Sequence, residues 1–439
     1  MSTLVRVAVL GGGVGGVVAA AELARSGQAT VDLLEPLPEL GGTLRSFSFQ
    51  GASFDIGTFR FFRSNHLFLV FPRLMDLLVP VRQRLTFISP QGTYYQYPNG
   101  LEAYVKDNGW LELVRIALDV AWCRAIYRRR DTFEAWIHFY IGRRLFEYSG
   151  LRAYAERFCG LSFQDIDIEF ARSRLYMFEQ LSSIRYQFKA LRRRASRRRQ
   201  EEMPEAILVR PPSGFQTLFQ SIQQQLQEDG VSVYTRVSLS RIRRHGAKLA
   251  VVWNGQERSY DRVISTLPVS QTLECTGSVC SDQPRYIGLL SLFYFLRGDL
   301  GHDAAYLYNF SGAGSWKRMT TFSLLYGLHD ERHYFTTEFA LNETLSLDAA
   351  IAPQFEHDAR KLGFLQGELQ LAGHSVTPYA YPLYRRGQMG PIHEAKKALA
   401  EAGIDSIGRQ GALQYISSAA AAASAAETAR QISATSRIV

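Results

Sequence analysis

The spacing of apolar positions divides the chain into stretches of different period. Val5 to Leu10 is a short apolar run, as a buried parallel strand requires. A glycine-rich turn, Gly11 to Gly16, follows. The pattern then predicts a helix over Val17 to Ser26, stopped by Gly27, and a second strand over Thr30 to Leu34 that ends at Glu35. From Leu101 to Phe188 aromatics, leucines and arginines recur at helical spacing with few glycines or prolines, which predicts several helices. Pro211, Pro212 and Gly214 restart ordered structure before a helical repeat over Phe215 to Gln227. Short β-like runs lie at Val231 to Tyr234, Leu249 to Trp253 and Arg262 to Thr266. Tyr286 to Leu296 and Tyr334 to Ala340 read as strands of a second sheet, and Ala349 to Leu362 as a helix. The alanine-rich tail from Ala419 to Ile432 is predicted helical on propensity alone.

Composition narrows the class. The 439 residues, 46% of them hydrophobic, suffice for two or three globular domains. No apolar run reaches the ~18 residues of a membrane span. No basic segment precedes a cleavage site, so a cytoplasmic location is the expectation. The four cysteines, Cys123, Cys159, Cys275 and Cys280, have no CxxC spacing, which supports neither a disulfide framework nor a metal site. Much of the net charge of +9 comes from Arg192 to Arg199, RRRASRRR. Such a run is either a solvated face or an attachment to anionic lipid or an acidic partner. No nucleic-acid module accompanies it, so nucleic acid is not expected as a partner.

The chemistry sits in the first turn. Gly11, Gly13 and Gly16 form G-x-G-x-x-G, with Gly15 inside it. The first glycine permits the tight turn, the second lets backbone approach a pyrophosphate, and the third lets the helix pack on the strand. The helix N-terminus then presents free N–H groups and a positive dipole to phosphate. Glu35 lies 19 residues beyond Gly16, placed to accept hydrogen bonds from ribose hydroxyls. Gly41-Gly42-Thr43-Leu44-Arg45 follows, offering close backbone approach and one guanidinium for a diphosphate. No Ser-His-Asp spacing, HExxH or Walker motif is present, and no catalytic side chain stands out.

From here the chain resembles the flavoprotein group that includes amine oxidases, protoporphyrinogen oxidase, phytoene desaturases and UDP-galactopyranose mutase. FDIGTFRFF (Phe54 to Phe62) is similar to the FDxGGHRFF segment of bacterial protoporphyrinogen-oxidase-like enzymes. Tyr97-Pro98 follows as the group's "YP" strand, and YAERFCG (Tyr154 to Gly160) resembles YTEKxWG. PSGFQTL, Arg236-Val237-Ser238, ISTLP (Ile264 to Pro268), YAYPLY (Tyr379 to Tyr384) and Gly408-Arg409 with Tyr415 match further elements in order along nearly the whole chain. Thr58 and Phe59 replace a glycine and a histidine, Cys159 a tryptophan, and Ser417-Ser418 a carboxylate-bearing ending.

The resemblance implies FAD as cofactor, with Gly42, Arg45, Gly57, Thr58, Val237, Thr266, Arg409, Ser417 and Ser418 joining the glycine motif and Glu35 in holding it. It implies Phe59, Arg60, Tyr154, Arg172, Arg174, Tyr381 and Arg385 on the substrate side, and no metal. The fold class it implies is α/β: a discontinuous Rossmann-like FAD-binding domain with a helical insertion and a second, mixed-sheet substrate domain. Residues 1–98, 206–270 and 401–439 would build the first, 99–205 the insertion and 271–400 the antiparallel-sheet domain. The activity implied is an FAD-dependent oxidoreductase acting on a small organic or sugar-related substrate by hydride transfer to flavin. Two alternatives stay open. One is a non-redox, flavin-dependent nucleotide-sugar mutase, favoured by Tyr154 and the arginines. The other is a scaffold whose site has decayed, favoured by Phe59 and Ser418.

Overall fold

The computed structural model describes residues 4–82, 85–97, 108–175, 207–278, 280 and 282–435. The Val5–Leu10 strand lies at the centre of a five-stranded parallel sheet, with order Ile404–Ser406, Arg262–Ser265, Val5–Leu10, Ala29–Leu34, Ser232–Tyr234. Three separate stretches of chain therefore build one sheet, as a discontinuous dinucleotide domain requires. The helix Val14–Arg25 covers one face. The last helix, Ser418–Thr435, packs against it through Ala422, Ala425, Ala426 and Ala429, all fully buried. Its alanines thus serve close helix packing as well as helix propensity.

The second sheet has seven strands, in the order Leu365–Pro382, Tyr286–Leu300, His333–Leu341, Trp316–Thr321, Tyr306–Asn309, Leu85–Ile88, Tyr94–Tyr97. All its pairings are antiparallel except that of Tyr306–Asn309 with Leu85–Ile88. Leu85–Ile88 and Tyr94–Tyr97 thus extend this sheet, although they fall in a segment expected to serve the cofactor domain. Strand pairing to Tyr306–Asn309, invisible in local sequence, decides their place.

The hairpin Ser46–Phe49/Ala52–Asp55 joins the two halves. Phe54 packs edge-on against Phe295 and Phe322 and tilts against Phe293. Arg210, buried, donates to both oxygens of Asp55 and to the carbonyls of Ser53, Pro211 and Pro212. These bonds fix the turn before the Phe215–Glu228 helix. A helical layer, Trp110–Ile126, Phe133–Tyr148, Leu151–Cys159 and Ile168–Arg174, flanks the second sheet. The run Arg192 to Arg199 lies outside the described residues.

Candidate active site

A cavity of about 470 Å3 runs from the glycine turn to the second sheet. At its first end Gly11 has φ +96°, and a side chain there would strike Thr266 and Leu267. A Cβ on Gly16 would run into the Gly11 carbonyl oxygen, so only glycine lets this helix start so close to the strand. Gly13 and Gly42 face each other; a Cβ on Gly42 would stand 3.1 Å from the Gly13 Cα. The bare backbone between them forms the kind of concavity a pyrophosphate fills. Arg45 lines the same end, and its Nε is buried without a hydrogen-bond partner. A guanidinium held with an unmet donor beside a helix N-terminus fits a diphosphate anion.

Glu35 is buried, and its Oε2 accepts from the Gly12 N–H at 2.5 Å while Oε1 accepts from the Leu37 N–H at 2.7 Å. It therefore holds the glycine turn, and a carboxylate so placed still has lone pairs for ribose hydroxyls. Burial raises its pKa, against the pull of those two N–H groups and of Arg45. Gly15, Gly57, Thr58, Thr266, Arg409, Ser417 and Ser418 also line the cavity. Ser417 caps the final helix by accepting from the Ala420 N–H at 3.2 Å. Gly16 and Val237 stand behind the wall; the Val237 N–H donates to the Glu35 carbonyl at 3.0 Å.

The second end is cationic. Phe59, Arg60, Arg318, Arg409, Tyr381 and Tyr415 line it. Glu338, fully buried, accepts from Arg318 at 2.6 and 2.7 Å, from Lys317 at 3.1 Å and from the Thr58 N–H at 3.1 Å. Lys317 also donates to the Tyr381 hydroxyl at 3.1 Å. A β-bulge explains how two adjacent residues reach one carboxylate. Trp316 pairs with Phe339 and Arg318 with Glu338, which leaves Lys317 as the extra residue in the strand. Behind Tyr415, Arg174 donates to the hydroxyls of Tyr415 and Tyr154. Arg409 turns back to the Ile416 carbonyl, at 3.0 Å from Nε and 2.8 Å from Nη2, and lies over the stacked rings of Tyr381 and Tyr415.

The charges do not balance. Among the described residues the lining carries Arg45, Arg60, Arg318 and Arg409 but, of acids, only Glu35 at the far end. Lys317 and Arg174 add two cations behind the wall, against the single carboxylate of Glu338. Burial disfavours the ionised forms of Tyr308, Tyr381 and Glu338. Even so, Arg318 and Arg60 push the Tyr308 phenol below its usual value, and Lys317 does the same to Tyr381. Burial pushes the Glu338 carboxyl up, but the Arg318 and Lys317 charges outweigh it and hold Glu338 well below the ordinary carboxylate range. A positive field of this kind suits an anionic ligand.

Of the residues the sequence suggested for the substrate side, Phe59, Arg60 and Tyr381 line the cavity and Tyr154 and Arg174 stand behind it; Arg318, Lys317, Glu338 and Tyr308 were not anticipated. The three polar residues Thr336, Thr337 and Glu338 inside an apolar strand were the available signal. Two named residues stand apart from the cavity. Arg172 is exposed on its helix, and Arg385 pairs with Glu343 at 2.6 Å. The YAYPLY strand ends before Arg385, and the chain there has turned outward. Among the described residues no group of His, Cys, Asp and Glu side chains could hold a metal ion.

A glycine-turn cleft that can cradle a dinucleotide, opening onto a cationic chamber, defines a dinucleotide-binding protein. The chain belongs to the flavin containing amine oxidoreductases, whose family model matches residues 14–276. FAD is its cofactor, and members of the family are mostly oxidoreductases with some isomerases. Reduced UDP-galactopyranose mutase superposes with a TM-score of 0.76 at 17% identity, over 98% of this chain and 94% of that one. A protein of Exiguobacterium sp. 255-15, provisionally named a protoporphyrinogen oxidase, gives 0.71 at 14% identity over 99% and 100% of the two chains. A putrescine oxidase redesigned in its cofactor binding gives 0.65 at 14% over 98% and 99%. At these identities the likeness establishes the fold. No curated protein matches the chain.

Proposed function

We propose that the chain is an FAD-dependent oxidoreductase acting on a small anionic organic or sugar-related substrate. The observation that carries this reading is the excess of cations at one end of a cavity whose other end fits a dinucleotide. Gly11, Gly13, Gly15, Gly42 and Arg45 would hold the pyrophosphate, with Gly16 setting the turn; Glu35 would hold the ribose, backed by Val237. Gly57, Thr58, Thr266, Arg409, Ser417 and Ser418 would border the ring system. FAD, when bound, supplies the hydride acceptor. Arg60 and Arg318 would take the substrate's anionic group, with Arg174 orienting Tyr154 and Tyr415. Phe59 and Tyr381 would flank the reacting part and keep water from it. Arg172 and Arg385 stay outside this scheme. The run Arg192 to Arg199 belongs to the same reading as an attachment to anionic lipid or an acidic partner, on its charge density alone.

A second reading, a non-redox nucleotide-sugar mutase, draws on the same arginines and tyrosines, because guanidinium forks and phenols suit a diphosphate. One experiment separates them. Anaerobic absorbance spectra of the purified protein are taken with candidate substrates, before and after dithionite. Bleaching by a substrate alone supports the oxidoreductase. Turnover of a nucleotide sugar only after dithionite supports the mutase. Protein without flavin defeats both.

A further inference from the structure

The helix Trp110–Ile126 is amphipathic in an unusual sense: its apolar side faces outward. Only Glu112, Ile116 and Cys123 are buried. Trp110, Val114, Leu118, Trp122 and Ile126 recur every four residues and so form one stripe along the helix. All five are exposed, Trp110 to 68%, Leu118 to 66% and Trp122 to 65%. The stripe runs roughly 24 Å, an indole at its start and another near its end. Large exposed apolar patches mark interaction surfaces.

The exposed charges around the stripe are mostly basic. Arg115 and Arg124 lie on the exposed part of the helix, and Arg128, Arg129 and Arg130 follow its end, all exposed. Within the helix both acids turn inward, while Asp131, just past Arg130, is exposed. Glu112 accepts two bonds from Arg144, and Asp119 accepts from the Arg144 N–H at 2.9 Å. Among the described residues the outward face of the helix itself is therefore apolar and basic, with both of its carboxylates turned inward. An apolar stripe with terminal indoles and a rim of arginines matches the boundary of an anionic bilayer, where rings sit at headgroup depth and guanidiniums meet phosphate. Among the described residues no helix is long and apolar enough to cross a membrane, so contact would be parallel to the surface.

We infer that the Trp110–Ile126 helix docks this protein, in plane, onto an anionic lipid surface. This docking is independent of the flavin chemistry. It does place the helical layer that carries Arg174 against the lipid. The docking helix packs on Phe133–Tyr148, which packs on Ile168–Arg174.

The test uses the full FAD-loaded chain. It is sedimented with vesicles of phosphatidylcholine containing phosphatidylglycerol, and with phosphatidylcholine alone. Wild type should bind the anionic vesicles, more weakly in high salt and more weakly without phosphatidylglycerol. Its tryptophan emission should shift to the blue, since Trp136, Trp253 and Trp316 are already buried and the change can come only from Trp110 and Trp122. The triple variant Trp110→Ser/Leu118→Gln/Trp122→Ser changes only exposed side chains, so flavin content and melting should hold. Its vesicle affinity should fall about tenfold or more, with no blue shift. Vesicle binding unchanged in the variant, or absent in wild type, overturns the inference. So does a wild-type dimer that the variant turns into a monomer, because the face would then cover a second copy.

Discussion

The two ends of the cavity work by different means. At the glycine turn the wall is backbone: glycines without side chains, a helix N-terminus, and one carboxylate holding the loop. Recognition there needs space and N–H direction, and most of it is assembled within the stretch from Gly11 to Arg45. At the cationic end the wall is side chain. Thr58, Arg174, Arg318, Glu338, Tyr381 and Arg409 come from six distant segments and hold one another through charge. The first end tolerates change wherever backbone shape survives. The second fails when any charge loses its partner.

The largest expected effect breaks the second end. Glu338→Gln leaves Lys317 and Arg318 buried without a counterion and should cost about 3–5 kcal/mol in thermal or denaturant unfolding. The pH dependence has a definite sign. The folded pKa of Glu338 lies below the unfolded one. The carboxylate therefore stabilises the fold above the unfolded value of about 4.3 and loses that effect as pH falls through the folded value. Wild type should lose stability in acid more steeply than the variant, and parallel acid limbs would show that the cluster does not hold the sheet. Gly16→Ala attacks the first end by shape alone. With its Cβ against the Gly11 carbonyl, it should cost about 1–3 kcal/mol and empty the protein of flavin; full occupancy after dialysis would mean the helix can shift freely.

Glu35→Ala should weaken FAD about 10- to 150-fold, the worth of charged hydrogen bonds to ribose. Flavin retained through dialysis at the wild-type level would limit Glu35 to propping the turn. The smallest effect concerns the cysteines. None of the four lines the cavity, Cys123 and Cys159 being buried elsewhere. FAD should therefore be non-covalent, and acid precipitation should release all the yellow colour; colour in the pellet would place a covalent bond where the cavity wall offers no thiol.

The contrast also explains what could be read from sequence. The strand, turn, helix and acid of the first end are local, so their spacing shows them. Gly42 and Arg45 follow within ten residues of Glu35. The tail helix was legible from alanine, but its burial against the first helix depends on packing that no short window contains. At the cationic end Arg174 and Tyr154 were suggested only through the resemblance of their segment. Arg318 and Lys317 were missed because a β-bulge, which has no sequence signature here, turns both toward Glu338. Arg385 was placed near the cavity by proximity in sequence to Tyr381, yet four residues of strand and turn suffice to carry it to Glu343.

The central claim is that an anion binds beside FAD, at the cationic end. Titrating the FAD-loaded protein with inorganic diphosphate, while following the flavin absorbance band, tests it directly. Arg60 lines the cavity over the Tyr306 ring. The account predicts a saturable change in the band, with an affinity about tenfold weaker in Arg60→Gln at unchanged flavin content. A band that does not respond to diphosphate, or responds equally in wild type and variant, would contradict it.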